Sequence, residues 1–262
     1  MLYNALCGAV KYYLRGYGFI VENMTMDKKY NDSLKFWNSA FDMDDKAKEE
    51  YTEKINPETD WRNLASSDKL ADIIINNLSD KKRVLDYGCG EGWAGIILKK
   101  SGCEEVTCVD VAENAVKLAS FFRDIFKISE GFTAQCVSTD WIEKSPEAVF
   151  DGLFCCNVID VVPEEAAENI IKNMARITTD DAVILIGMNY YIEPISCPEK
   201  NVEVRNKNEL YVNGVLRMVS RTDDEWKKIF ERYFNIDSVE YYAWPGEKEE
   251  KRRVFCLSRK TD

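Results

Sequence analysis

The stretch VLDYGCGEG, residues 84–92, decides the fold. A short apolar run reaches an acidic residue, Asp86, and then enters a turn with Gly88, Gly90 and Gly92, after which a helical pattern begins. Glycines allow backbone angles and a close ligand approach that side chains would block. A carboxylate just before such a turn suits a ligand with an ammonium group and repels a pyrophosphate, because like charges repel. The stretch therefore predicts a strand, a ligand-contacting turn and a helix.

The spacing of these glycines disfavours a nicotinamide-dependent dehydrogenase. The dinucleotide pattern GxGxxG would need a glycine at position 93, where this chain has Trp93. A dinucleotide-binding enzyme such as a dehydrogenase is therefore the weakest of the functional hypotheses.

The residues that follow predict an α/β fold. After residue 82, apolar runs that are typical of buried strands alternate with helical patterns. The runs are RVLDY (83–87), EVTCVD (105–110), TAQCVS (133–138), GLFCCNV (152–158) and AVILIGM (182–188). The helical stretches between them lie near 92–101, 112–127 and 163–177, and another, near 66–78, precedes the first strand. Such an alternation predicts a parallel sheet that is covered by helices on both faces.

The C-terminal part predicts additions to this sheet. The Asn213-Gly214 step between two strand-like runs predicts a β-hairpin. Thr222 and Glu225 have the spacing of a capping box that opens a helix running to about Phe234. The final stretch, SVEYYAWPGEKEEKRRVFCLS, reads as two antiparallel strands at the edge of the sheet.

The N-terminal part predicts two short helices, near 31–40 and 44–54. Residues 1–23 form an apolar stretch that is broken by charged residues and fits neither a signal peptide nor a spanning helix. Three alternatives stay open for them: an amphipathic helix on a membrane or partner, a packed N-terminal helix, or an extension before a start at Met24 or Met26.

Composition limits the chemistry. The 262 residues include 35 Lys and Arg against 46 Asp and Glu, a formal net charge of −11, which disfavours a general nucleic-acid binder. The chain has no histidine, so any proton transfer must use carboxylates, Tyr, Lys, Cys or the substrate itself. Nine scattered cysteines with no CxxC pair predict buried free thiols in the cytoplasm, without disulfides or a metal site.

The glycine-rich stretch resembles the first motif of class I S-adenosylmethionine-dependent methyltransferases, and further matches follow over about residues 62–189. The resemblance implies an α/β, Rossmann-like three-layer sandwich with a mostly parallel seven-stranded sheet and an antiparallel C-terminal strand. We expect an N-terminal helical extension or lid over 1–62 and a methyltransferase domain over 63–262. A hairpin insertion is expected at about 199–220 within that domain.

The resemblance also implies contacts to the cofactor, S-adenosylmethionine, whose product is S-adenosylhomocysteine. Asp86 would lie near the cofactor's ammonium group, Asp110 would accept hydrogen bonds from both ribose hydroxyls, and Asp140 would accept from the adenine amine. Tyr87 departs from the aliphatic residue that is usual in the family. The full set of expected cofactor contacts is Arg62, Asp86, Tyr87, Gly88, Cys89, Gly90, Gly92, Asp110, Val111, Asp140, Trp141, Asn157 and Val158.

Several candidates also have a plain structural interpretation. Arg62 either reaches the cofactor's carboxylate or forms a surface salt bridge. Asp160, near a position that often bears His or Glu in relatives, either orients the acceptor or precedes a helix at Pro163. Tyr190 and Tyr191 follow the fifth strand and either line the acceptor pocket or pack as ordinary aromatics. Asp160 and the two tyrosines are the candidate catalytic residues.

The predicted function is in-line transfer of a methyl group to a small-molecule acceptor, without nucleic acid as a partner and without a transmembrane segment. The N-terminal segment and the hairpin would close over a compact pocket as lids. Two alternatives stay open: a catalytically inactive, cofactor-binding partner or regulatory protein, and a protein methyltransferase.

Overall fold

A seven-stranded sheet forms the centre of the structure, a computed structural model that describes residues 26–193 and 201–260. The strands of this sheet are β1 (Arg83–Tyr87), β2 (Glu105–Asp110), β3 (Phe132–Cys136), β4 (Phe150–Cys156), β5 (Thr178–Met188), β9 (Phe234–Tyr242) and β10 (Arg252–Arg259). They are arranged in the order β3-β2-β1-β4-β5-β10-β9. The first five strands are parallel, and β10 runs antiparallel to both of its neighbours, β5 and β9. The predicted sheet is confirmed.

Helices cover both faces of the sheet, so the predicted three-layer sandwich is confirmed as well. The α-helices are α1 (Met26–Ala40), α2 (Asp45–Lys54), α3 (Asp68–Leu78), α4 (Trp93–Lys100), α5 (Glu113–Ile125), α6 (Trp141–Lys144), α7 (Glu164–Ile177) and α8 (Asp223–Phe230), and Asp60–Leu64 form a 3-10 turn. Alternation along β4 shows the two cores, because Leu153 and Cys155 pack with α7 while Phe154 packs with α3 and α4.

Helix starts follow their local sequence closely. The Ser67 hydroxyl accepts from the Leu70 amide at 3.1 Å and caps α3. Thr222 and Glu225 form the predicted capping box of α8. This helix ends at Phe230 and not at about Phe234, because Phe234 pairs with Arg259 in the sheet instead.

Three strand boundaries differ from the prediction. Predicted over 133–138, β3 ends at Cys136, level with the end of β2 at Asp110. Predicted over 152–158, β4 ends at Cys156, because Asn157 turns into the left-handed region with φ +56°. The fifth strand begins at Thr178, ahead of the predicted 182.

A second, three-stranded sheet accompanies the first. It consists of β6 (Val202–Arg205), β7 (Glu209–Val212) and β8 (Val215–Val219), paired in that order. The predicted Asn213-Gly214 turn joins the last two strands, with φ +52° and +77°. The first of the three strands was not predicted, since VEVR is short and half charged.

The N-terminal helices pack onto the domain. Trp61, Tyr51 and Phe41 contact a cluster that contains Phe122 of α5. The boundary predicted between residues 62 and 63 falls inside the 3-10 turn, and the two-part division stays a prediction. The alternatives for residues 1–23 concern a segment outside the described residues, as do Cys7 and Cys197. No helix in the described ranges is long and apolar enough to cross a membrane.

The cysteines of the described ranges are free thiols, as predicted. The expectation that they are buried is wrong for Cys136, which is exposed because β3 is an edge strand. Cys155 and Cys156 pack on opposite faces of the sheet, as expected for neighbours on a strand.

Candidate functional site

The glycine turn after β1 folds over the end of β2. The backbone amides of Gly88 and Cys89 both donate to the Val109 carbonyl, at 2.8 and 3.0 Å. Gly88, Gly90 and Gly92 all have positive φ, at +69°, +54° and +75°. A Cβ at Gly88 would overlap Cγ2 of Val158, so this position has no room for a side chain. The turn therefore exposes backbone at the carboxyl edge of the sheet, where α/β folds bind ligands.

Asp86 is a buried carboxylate beneath this turn, with 2% of its surface exposed. Its Oδ2 accepts from the Gly95 amide at 3.3 Å and from the Cys108 thiol at 3.8 Å. Burial raises the pKa of Asp86 to about 7, because few hydrogen bonds replace the lost water. Among the described residues, no Lys or Arg forms an ion pair with Asp86.

Asp110 ends β2 and holds the turn in place. One carboxylate oxygen accepts from the Gly90 amide at 2.9 Å and the other from the Ala112 amide at 2.8 Å. Burial raises the pKa of Asp110 even so. A carboxylate has about four acceptor positions, so both oxygens keep capacity for hydroxyl donors. The half-buried Val111 follows it in the chain.

Asp140 and Trp141 lie at the start of α6. The Ser138 hydroxyl donates to Asp140, which also forms an ion pair with Lys144, and these bonds lower the pKa of Asp140. Trp141 is half-buried and packs against the same core as Val158. Asp140 is thus engaged in local bonds, and its predicted contact with adenine stays a prediction.

Two unpaired oxygens lie past the end of β4. Among the described residues, neither Asn157 Oδ1 nor Asp160 Oδ1 has a hydrogen-bond partner, and both atoms are buried. Asp160 Oδ2 accepts from both the backbone and side-chain amides of Asn189, at 2.9 Å each. Burial raises the pKa of Asp160. Its side chain therefore bonds to the end of β5 and not to the helix after Pro163.

The tyrosines after β5 lie apart from each other. Tyr191 is 37% exposed and donates to Glu193 at 2.8 Å. Tyr190 lies near Arg252, whose guanidinium is 5.5 Å from the ring centroid. Neither hydroxyl bonds to Asp160, and their role in a pocket stays a prediction.

Arg62 lies in an ion pair with Asp72 on α3, with Asp68 also 4.0 Å away. This is the surface salt bridge that the sequence left open as an alternative. A contact with a cofactor would require Arg62 to exchange these partners.

Sequence reasoning predicted a helical lid but did not name the residues of α1 that reach the site. Burial and the charge of Asp110 raise the pKa of Tyr30 on α1, so this hydroxyl lies close to the end of β2. Asn38 accepts from the Asn114 amide at 3.1 Å, and Phe41 packs against Gly90. The spacing of Tyr30, Asn38 and Phe41 along one helical face was the available signal.

Glu91 was also missed. It lies inside the glycine turn, and burial raises its pKa to about 7. Burial and the charge of Glu91 raise the pKa of Tyr51 on α2, and Tyr51 packs against the same hydrophobic cluster as Trp93, which directly follows the turn.

Comparison with known proteins agrees with this geometry. Residues 84–181 match the family model described as a methyltransferase domain. The chain is 27% identical over 207 residues to a ubiquinone biosynthesis O-methyltransferase of Neisseria meningitidis, covering 77% of this chain and 78% of that protein. Together with the fold, these matches support a class I S-adenosylmethionine-dependent methyltransferase.

Other relatives of this methyltransferase share its cofactor domain or its fold. A ribosomal protein L11 methyltransferase of Acetivibrio thermocellus is 35% identical over 92 residues, which is 35% of this chain and 29% of that protein. A Burkholderia thailandensis 1,6-didemethyltoxoflavin-N1-methyltransferase, solved with 1,6-didemethyltoxoflavin and S-adenosylhomocysteine, has a TM-score of 0.63 at 15% identity and covers 93% of this chain and 94% of its own. S-adenosylmethionine is the cofactor of the methyltransferase.

Proposed function

We propose that this methyltransferase acts on a small-molecule acceptor. The acceptor lies between the carboxyl ends of β4 and β5 and a cover that we call the lid, made of α1 and the sheet β6-β7-β8. The observation that carries this proposal is the pair of buried, unpaired oxygens of Asn157 and Asp160 beneath the lid. Buried acceptors without donors are costly, so they are typical of places where a ligand supplies the donor.

The residues around the glycine turn fit the cofactor. Asp86 is a buried carboxylate next to a turn that no side chain fills, and an ammonium group would replace its lost hydration. Backbone at Gly88, Cys89 and Gly90 would lie along the methionine part, with Tyr87 and Gly92 shaping the turn. These contacts would use the carboxylate of Asp86 and the exposed backbone of the glycine turn.

The remaining cofactor contacts follow from the strand order. Asp110 has acceptor capacity left for the ribose hydroxyls, and Val111 would flank the adenine ring. Asp140 and Trp141 would border the adenine edge once Asp140 exchanges its Lys144 partner. Asn157 and Val158 would face the sulfonium end, since Val158 already packs against Gly88.

The mechanism follows from this arrangement. The bound cofactor supplies an electrophilic methyl group, so the protein mainly aligns the acceptor and excludes water. The acceptor's hydroxyl or amine would donate to Asp160 Oδ1, which is held in place by the two bonds from Asn189. The proton of the acceptor would pass to this carboxylate, whose pKa burial raises, which makes it a better proton acceptor than an exposed aspartate.

The lid favours a compact acceptor over a protein chain. Lys29 of α1 pairs with Glu209 of β7 at 3.1 Å, and the buried Ser33 hydroxyl donates to the Leu216 carbonyl at 2.8 Å. Asn38 and Phe41 attach the other end of α1 to the loops after β2 and β1. Both α1 and the second sheet therefore cover the site, which suits a small ligand that the protein can enclose.

The relatives support the same choice. The match that extends over most of both chains is to an O-methyltransferase of ubiquinone biosynthesis. The match to a ribosomal protein methyltransferase covers less than a third of that protein, so it supports the shared cofactor domain and not the acceptor.

Calorimetric titration with S-adenosylhomocysteine is the first test, followed by turnover on a panel of small phenols, amines and carboxylated aromatics. We expect binding to wild type, at least tenfold weaker binding to Asp86→Asn, and unchanged binding to Asp124→Asn, an exposed carboxylate on α5. Asp160→Asn should bind the cofactor normally and turn over at least a hundredfold more slowly. Equal turnover by wild type and Asp160→Asn on a true substrate would refute the acceptor site.

A further inference from the structure

Among the described residues, one arginine of the lid, Arg217, has no acidic partner. The guanidinium of Arg217 on β8 lies 3.6 Å from the ring centroid of Phe36 and 5.1 Å from that of Trp37, both on α1. Its Nε is buried, and within residues 26–193 and 201–260 it has no hydrogen-bond partner. Burial lowers the pKa of Arg217 to about 10, so it stays a cation at neutral pH.

A second donor beside it is also unpaired. Nε1 of Trp37 is buried and finds no acceptor in the described part of the chain. Two N–H donors from different elements therefore meet at one place, the seam between α1 and β8. A donor buried without an acceptor is destabilising, so the pair calls for an oxygen from outside the protein.

Other buried arginines in the described residues have an acidic partner, although Arg221 Nη1 and Arg253 Nε also lack a hydrogen-bond partner. Arg221 bonds to Glu164 at 2.6 Å, Arg252 to Glu247 at 2.7 Å and Arg253 to Asp223 at 2.5 Å. The chain has 46 acidic residues against 35 basic ones, so carboxylates are abundant. Because carboxylates are abundant, the lack of an acidic partner for Arg217 among the described residues indicates that its guanidinium binds an external anion.

The seam borders the proposed acceptor site. Val219, two residues beyond Arg217 on β8, donates its amide to the Asp160 carbonyl at 2.7 Å. On α1, Trp37 lies one turn after Ser33, whose hydroxyl also reaches the Val161 carbonyl at 3.3 Å, and one turn before Phe41 at the glycine turn.

We propose that Arg217 and Trp37 bind an anionic group of the acceptor, a carboxylate, and so select acidic small molecules for methylation. This inference rests on the proposed small-molecule function. A planar guanidinium donates two parallel hydrogen bonds to a carboxylate, and the indole N–H adds a third donor. The aromatic rings under the guanidinium hold it flat for this contact.

A purely structural role for Arg217 makes a different prediction. In that case the stack on Phe36 and Trp37 would serve only to attach β8 to α1. Its removal would lower the melting temperature and would leave the affinity for anions unchanged. The two roles are therefore separable by measuring stability and anion binding on the same variants.

The test compares Arg217→Met with Arg205→Met. Arg205 is a matched control, since it also stacks on an aromatic ring of the lid, 4.3 Å from the Tyr211 centroid, but it is paired with Glu203 at 2.7 Å. Benzoate and its neutral counterpart benzamide serve as probes. Both are titrated into free protein and into protein saturated with S-adenosylhomocysteine.

We expect benzoate to bind wild type more tightly than benzamide does, and to bind Arg217→Met roughly tenfold more weakly. Trp37→Phe should weaken benzoate binding several-fold, and Arg205→Met should leave it unchanged. Affinity for S-adenosylhomocysteine should be the same in all four proteins. Arg217→Lys keeps the positive charge but loses the planar guanidinium, so its benzoate affinity should lie between those of wild type and Arg217→Met. This variant keeps the test valid if Arg217→Met fails to fold.

Two results would overturn the proposal: no preference of wild type for benzoate over benzamide, or equal benzoate affinity in wild type and Arg217→Met. Because the probes are also titrated into free protein, a failure of cofactor binding would count against the proposed function and would still leave the anion site measured.

Discussion

At the scale of single residues, Gly88 is the position where sequence and site are most tightly linked. Its φ of +69° and the contact with Val158 both exclude a side chain. We predict that Gly88→Ala lowers the free energy of unfolding by about 1–3 kcal/mol and weakens S-adenosylhomocysteine binding at least tenfold. Urea unfolding and calorimetric titration measure the two effects.

Gly246→Ala is the matched control for this variant. Its φ is +88°, and a Cβ there would meet open space, so it carries backbone strain without a clash. It should cost about 1 kcal/mol of stability and leave cofactor affinity unchanged. If both variants bind S-adenosylhomocysteine equally well, the fit of the turn to the cofactor is wrong.

Asp86 makes stability depend on pH. Burial raises its pKa to about 7, so between pH 4 and 7 the folded cofactor-free protein holds a proton that the unfolded chain releases. The free energy of unfolding should therefore fall as the pH rises over this range, by on the order of 4 kcal/mol from this group. Urea unfolding at pH 5 and pH 8 should show a smaller fall for Asp86→Asn than for wild type.

The same carboxyl should make cofactor affinity depend on pH, in the opposite direction. An ammonium group binds the ionised form, whose population rises through a pKa of about 7. S-adenosylmethionine affinity should increase roughly tenfold from pH 6 to pH 8 in wild type and stay level in Asp86→Asn. A pH-independent wild-type affinity would place the ammonium group elsewhere.

At the scale of elements, one buried hydroxyl joins α1 to the second sheet and to the loop after β4. Ser33 is fully buried and donates to carbonyls of both β8 and the loop after β4. We predict that Ser33→Ala lowers the free energy of unfolding by about 1–3 kcal/mol, because two buried carbonyls lose their donor. Hydrogen exchange should become faster over 26–40 and 215–219, which reports local opening of the lid.

Ser39→Ala is the control on the same helix. Its hydroxyl is exposed and bonds to the Phe36 carbonyl within α1, at 2.7 Å. Exchange rates of the lid should not change in this variant. Equal rates in the two serine variants would show that Ser33 does not hold α1 to the second sheet.

At the scale of the whole molecule, one sheet joins two cores. Leu153 and Phe154 are neighbours on β4 that face opposite cores, and both are almost fully buried. We predict that Leu153→Ala costs about 2–5 kcal/mol and Phe154→Ala about 3–5 kcal/mol. Unfolding followed by circular dichroism and by tryptophan fluorescence should coincide in each variant, because both cores share their strands.

Thr133→Ala on the edge strand β3 is the control, since its side chain is exposed and its effect should stay within about 0.5 kcal/mol. Separate transitions for the two probes would mean that one face of the sheet unfolds without the other.

The sequence by itself determined the parts that neighbouring residues decide. Strands β1 and β2 begin and end where predicted. The glycine turn directly follows β1, and Asp110 is the last residue of β2. The Ser67 cap, the Thr222 capping box and the Asn213-Gly214 turn likewise depend on residues a few positions apart. The order of such elements was enough to predict the layered fold.

Only the tertiary structure decided how distant residues meet. The bond from Asn189 to Asp160 spans 29 residues, and the bond from Ser33 to Leu216 spans 183. The hydrophobic periodicity of the sequence does not predict such pairs, because the choice of partner depends on how strands and helices pack. The ion pair of Arg62 and the unpaired guanidinium of Arg217 are of the same kind. The sequence does not show whether the fold places a carboxylate next to an arginine or leaves it without one.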